Sequence, residues 1–180
     1  MKDFRDISRR AIYENKLKLA PGEVWNFYQI PIFFFALALG FMVFILFADT
    51  HKHVPALFSI PFLLVAIIVF ITNERSLRFR SVETNMNPSQ QCSYLRWVIE
   101  EKLKWRITEI NEHLIIAKTP ESFENDAFGQ RVTIVFDNGR TLLNSIMEPK
   151  NYRHGVMPLI WNRHNLNILT EYIGDTQDLD

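Results

Sequence analysis

The 180-residue chain has a single cysteine, Cys92, and only six glycines. One thiol excludes an intramolecular disulfide framework and a cysteine-based zinc cage, and it fits a reducing compartment. No G-x-S-x-G, G-x-x-x-x-G-K-[ST] or G-x-G-x-x-G run occurs, so the sequence carries no nucleophile elbow, P-loop or dinucleotide fingerprint. Neither sign of charge is in excess: 20 Lys and Arg face 20 Asp and Glu. A global basic field is therefore missing, and nucleic acid is not an expected partner. Charged side chains are absent altogether from positions 30–48 and again from 54–72, while the rest of the chain is rich in them. A mean hydropathy of −0.03 averages over that contrast. Such a shift marks two solvents rather than one.

Each uncharged run has nineteen residues. At about 1.5 Å per residue either one is roughly 28 Å long as a helix, the hydrocarbon thickness of a bilayer. A soluble fold would have to surround two helices that are apolar all round, and this chain is too short for that. Nor is the first run a signal peptide, because 29 residues precede it and its apolar core is too long. Only Asp49, Thr50, His51, Lys52 and His53 separate the runs, so the helices must be antiparallel neighbours. Arg5, Arg9, Arg10, Lys16 and Lys18 precede the pair, Arg75, Arg78 and Arg80 follow it, and the connecting loop holds just Lys52. By the positive-inside rule both termini are cytoplasmic, at the cell (inner) membrane. Trp25 and Tyr28 fall where an interfacial aromatic belt belongs. We place Pro31 in the first turn of its span, where its missing N–H costs little, and Pro61 inside the second. Ala36, Ala38 and Gly40 offer small surfaces for helix contact. With no ionisable group inside either span, the pair reads as an anchor or oligomerisation surface rather than a conduit.

Residues 1–26 form a cytoplasmic arm, with Asp3 capping an amphipathic helix from Phe4 to about Leu19 that Pro21 and Gly22 break. Its basic faces suggest a segment lying on the anionic inner leaflet. Residues 27–72 are the hairpin, 73–174 a cytoplasmic α+β domain and 175–180 an acidic tail. In the domain, positions 76 to 82 nearly alternate and hint at a short extended piece. Asn87, Pro88 and Gln90 read as cap, first helical position and capping-box partner. Leu95, Val98, Ile99 and Leu103 make one helical stripe. Trp105 and Ile107 begin a half-buried strand, Asn111 to His113 a turn, and Leu114 to Ala117 a second strand. Residues 131–137 alternate Val132, Ile134 and Phe136 with their neighbours. Asn138 and Gly139 then predict a type I′ hairpin in which Asp137 faces Arg140 and Ile134 faces Leu143. Leu159, Leu166, Leu169 and Ile173 mark a last helix that Gly174 stops. The expected fold is a two-helix transmembrane hairpin plus a two-layer α+β domain of helix, four-stranded antiparallel sheet and helix, with both helices on one face.

No catalytic residue, metal site or cofactor is assigned. Asp49, His51 and His53 leave a metal's coordination incomplete, with the Lys52 ammonium opposing a cation. Cys92 with His113, His154 or His164 lacks any oxyanion-hole signal and reads as a small buried hydrophobe. Glu100 and Glu101, and the group Glu121, Glu124 and Asp126, read as solvated charge. Tyr152, Arg153 and His154, with Trp161, Arg163 and His164 on the last helix, form an aromatic and cationic group that would suit an anionic group, a lipid headgroup or a peptide. The expected function is a membrane-tethered, non-enzymatic interaction or regulatory module. Its partners are the lipid bilayer and a protein, or a second copy of the chain. An accessory subunit of a transporter or channel complex is the alternative, and a membrane-bound hydrolase or transferase ranks below both.

Overall fold

In the structure, a computed structural model, Asn87 accepts the Gln90 N–H on its side-chain oxygen at 2.9 Å, and Pro88 takes the first helical position. The structure describes residues 8, 11–47, 53–120, 129–148 and 158–175, with side chains for 8, 11–44, 59–120, 129–148 and 162–174. They fall into two compact units, residues 1–18 with 76–180, and residues 19–75.

The first unit is built on a fully antiparallel sheet of β1 (Arg80–Glu83), β2 (Arg106–Asn111), β3 (Leu114–Lys118), β4 (Gln130–Asp137) and β5 (Arg140–Met147), in the order β1-β5-β4-β3-β2. It has five strands, not the four expected. The addition is β1, the extended piece hinted at near position 80, which pairs with β5 so that Arg80 faces Leu143 and Glu83 faces Arg140. With three polar residues and only Val82 apolar, β1 has almost no pattern of its own, and its partner β5 supplies the pairing that defines it.

The β4–β5 hairpin has the expected register, Asp137 opposite Arg140 and Ile134 opposite Leu143. The turn type differs. Gly139 takes φ +74°, whereas Asn138 is not among the described non-glycine residues at positive φ, so this is not a type I′ turn. The Asp137 carboxylate fixes the alternative: Oδ1 accepts the Asn138 N–H at 2.9 Å and Oδ2 the Arg140 Nε–H at 2.8 Å.

Two helices cover one face of the sheet. In α3 (Pro88–Trp97), extended by one wide turn over Val98–Lys102, the Leu103 N–H reaches back five residues to the Val98 carbonyl. The last, α4 (Pro158–Asp175), runs one residue past Gly174. Leu95 and Ile99 of the first helical stretch, Leu169 and Ile173 of α4, and Ile115, Val132, Ile134, Phe136 and Leu143 of the sheet form the core. The other face is not bare, as a two-layer reading implies. Leu114, Thr133, Val135, Leu142, Asn144 and Ile146 all point that way and all are buried. Asn144 Nδ2 donates to the carbonyls of Ser76 and Arg78, at 2.9 and 3.0 Å. The Ser76–Phe79 stretch is itself paired with the arm: Leu17 N–H donates to Leu77 O, Phe79 N–H donates to Asn15 O, and Lys16 bridges Arg78. Ala11, Leu17, Leu77 and Phe79 are buried.

The arm thus differs from the single helix expected to run to about Leu19. Its helical turn at residues 11–14 ends at Asn15, which adopts φ +48°. Asparagine tolerates the left-handed conformation that terminates helices, so this residue, rather than Pro21, stops it. Residues 1–7, including the Asp3 cap, lie outside those described.

Pro21 instead opens a helix. The second unit is α1 (Pro21–Phe47) and α2 (His53–Ser76). Glu23 reaches back to the Ala20 N–H at 3.0 Å, half of a capping box. Pro31 is therefore well inside α1 and not in its first turn. It cannot donate to the carbonyl of Phe27, and Asn73 Nδ2 does so at 2.8 Å. One residue along each helix, Tyr28 Oη donates to the Glu74 carboxylate. Phe62 stacks against Phe34 and, at 5.6 Å and 3° between planes, against Phe41, so the helices run antiparallel. Of the three small residues of α1, Ala38 is buried and Ala36 and Gly40 are exposed. Both helices are long and apolar enough to cross a membrane. Only 17% and 11% of their most apolar stretches is buried, so neither is packed as the core helix of a soluble fold.

Candidate functional site

Helical spacing carries Asn162, Asn165, Leu169 and Ile173 down one side of α4 onto the sheet. The lower half of that stripe is apolar core. The upper half meets Gln130, the first residue of β4, and Ser145 of β5. Gln130 Oε1 accepts from Asn165 Nδ2 and, at 3.3 Å, from Ser145 Oγ. The backbone N–H of Gln130 is held by Thr119 Oγ1 at 2.8 Å. Asn162 lies one turn above Asn165 and is 5% exposed, yet among the described residues neither its Nδ2 nor its Oδ1 has a hydrogen-bond partner. A second buried polar group lies at the opposite end of the same face. There Thr141 Oγ1 donates to Gln91 Oε1 at 2.7 Å, and Gln91 Nε2 donates to Met86 O at 2.6 Å. The sheet face is thus apolar in the middle and polar at each end.

These carboxamides were not singled out from the sequence, although the stripe through Leu169 and Ile173 also passes through Asn162 and Asn165. Of the group that was singled out, only Arg163 and His164 have described side chains. Arg163 and His164 are exposed on α4, flanked by the inward Asn162 and Asn165. Tyr152, Arg153 and His154 lie outside the described residues, as does the side chain of Trp161. So do Asp49, His51, the His53 side chain, Glu121, Glu124 and Asp126.

Cys92 is half-buried on α3, and its Sγ–H points to the Asn111 carbonyl at 3.4 Å rather than to an imidazole. Burial pushes its pKa up, Glu112 adds to the rise and Arg96 opposes it, so the thiol keeps its proton at neutral pH. Glu100 and Glu101 form exposed pairs with Arg96 and Lys104, at 3.2 and 3.1 Å. Pairs of this kind contribute little to stability. Among the described residues no group of three or more His, Cys, Asp or Glu side chains is placed to hold a metal.

The hairpin unit holds a groove of about 590 Å³ between α1 and α2. Val24, Trp25, Tyr28 and Pro31 line it from α1, and Ala66 and Phe70 from α2. Beside it, the Asn73 and Glu74 bonds tie the two helices together at one end.

No protein-family model, curated protein or solved structure matches the chain. The roles of its residues therefore rest on its own geometry.

Proposed function

We propose that this protein is a membrane-anchored interaction module. In this reading α1 and α2 cross the bilayer as a hairpin, and the sheet unit binds a protein partner at the cytoplasmic surface. The observation that carries it is the side-chain surface of the two helices. Ile32, Phe33, Phe35, Leu39 and Phe44 of α1, and Ile60, Leu64, Ile67, Ile68 and Phe70 of α2, are all large, apolar and exposed. An apolar surface of that extent is stable only against lipid or another protein. The charge flanking the helices, basic on both outer sides with Lys52 alone between them, supports cytoplasmic termini.

For the sheet unit the supporting features are an open edge and exposed aromatics. β2 is an outer strand, and Ile110 on it is exposed. Trp97 is exposed on α3 with the Lys102 ammonium 5.1 Å from its ring centre. Such edges and anchors are what a docking segment uses. Arg163 and His164 are exposed on α4, over the other half of the sheet.

Impermeant maleimide labelling of intact cells tests the arrangement. In a Cys92→Ala background, Thr50→Cys should label and Thr176→Cys should not. The reverse pattern overturns the orientation. Labelling of neither in intact cells, with both labelled in a soluble fraction after lysis, overturns the anchor itself.

A further inference from the structure

We infer that the groove between α1 and α2 seats one acyl chain of a phospholipid from the leaflet at the cytoplasmic end of the hairpin. This rests on the membrane reading above and adds a defined lipid site to it.

The dimensions choose the occupant. Along α1 the groove runs from Pro21 to Phe35, about 21 Å at the helical rise. One leaflet contributes roughly half of a 30 Å hydrocarbon core, so the groove covers that depth and part of the headgroup region. Over that length it offers about 590 Å³ of space along the helix pair, lined almost wholly by apolar side chains. A flexible hydrocarbon chain can follow a groove of that length, and the apolar lining suits one.

The chemistry along the channel agrees. At one end it is flanked by amphipathic rings, Trp25 and Tyr28, and by the polar contacts of Asn73 and Glu74, with Arg75 exposed in the last turn of α2. Toward the other end it is lined by Ile32, Phe35 and Ile67, with no polar side chain. That polar-to-apolar gradient matches a lipid with its headgroup beside the aromatic belt. Ala66 leaves the floor of the channel open, where a larger side chain would fill it.

Ordinary lipid solvation would touch every exposed side chain alike, and this separates a built site from a merely greasy surface. Phe35 in the groove and Phe33 outside it are 54% and 59% exposed, and Ile67 and Ile71 are 46% and 45% exposed. The test reconstitutes the full chain into phosphatidylcholine and phosphatidylglycerol vesicles containing a phospholipid with a diazirine in its acyl chain, followed by photolysis and mapping of adducts. Adducts should be several-fold richer at Phe35 and Ile67 than at Phe33 and Ile71. Ile67→Trp, which fills the channel, should bring Phe35 down to the level of Phe33. Even labelling of both pairs in a chain that floats with the vesicles overturns the acyl-chain site and leaves the anchor standing. A chain that does not float removes the anchor and the site together. Efficient disulfide dimers of an Ile67→Cys, Cys92→Ala chain in the vesicles would assign the groove to a second copy and overturn the lipid.

Discussion

Asn73 on α2 donates its side-chain amide to the backbone carbonyl of Phe27 on α1, the acceptor that Pro31 leaves without its helical donor. In apolar surroundings an unpartnered carbonyl is costly, so a defect in one helix becomes a tie to the other. This predicts non-additivity. Asn73→Leu should cost about 1–3 kcal/mol of hairpin stability. Pro31→Ala restores an N–H to the same carbonyl, so Asn73→Leu should cost clearly less in that background. Equal losses in both backgrounds, measured by unfolding in detergent, would show that the tie is not what stabilises the pair.

Asn162 and Asn165 should respond in opposite directions to the same change. Asn165→Leu strips Gln130 and Ser145 of a buried donor and should destabilise the sheet unit by about 1–3 kcal/mol. Asn162→Leu removes two buried polar atoms that have no partner among the described residues and should raise the melting temperature. Thermal melts of the two variants decide the point. A loss of stability in both means that Asn162 is bonded in solution.

Gly139 carries the turn's positive φ, and a Cβ there meets no neighbour, so any cost of substitution is conformational rather than steric. Gly139→Val should lose about 1–3 kcal/mol. In a unit of this size that is a fall of roughly 2–8 °C per kcal/mol. Gly139→Asn should be much milder, since asparagine tolerates the left-handed region. A valine variant melting like the wild type would contradict the turn described.

The sheet unit should fold without the two long helices, provided the arm is kept. A fragment starting at Val82 loses Leu77, Phe79 and the carbonyls that accept from Asn144 Nδ2, and should bind ANS and melt without cooperativity. Because Lys16 and Arg78 are antiparallel partners, joining Lys18 to Ser76 through a short glycine-serine turn should give a soluble protein with a cooperative transition. Its failure, with the Val82 fragment folding normally, would mean that the arm is dispensable.

Much of this fold was legible wherever the determinants are local. The Asn87 cap, the stripe of Leu95, Val98 and Ile99, and the register of the 137–140 turn each depend on residues within a few positions of one another. β1 was only hinted at because its partner is distant in sequence. The second buried face was hidden because Thr133 and Asn144 look like solvent-facing residues. Pro31 was misplaced for a different reason. The start of the span was set at Ile30, where the continuous apolar run begins, but the helical backbone reaches back through Gln29 and Glu23 to Pro21. As for a site, polar residues read as surface in sequence, and burial alone distinguishes Asn162 and Asn165 from Arg163 and His164 between them.

The bridge between Lys16 and Arg78 also sets an order of events during synthesis. The arm leaves the ribosome early, yet its pairing partner is translated only after both long helices. Until then Asn15 and Leu17 have no strand to join, and the second face of the sheet does not exist. The arm is free while α1 and α2 find each other, and the sheet unit closes last. A chain that stalls inside α2 therefore exposes the arm without the segment it binds, a state that a protease can distinguish from the finished protein.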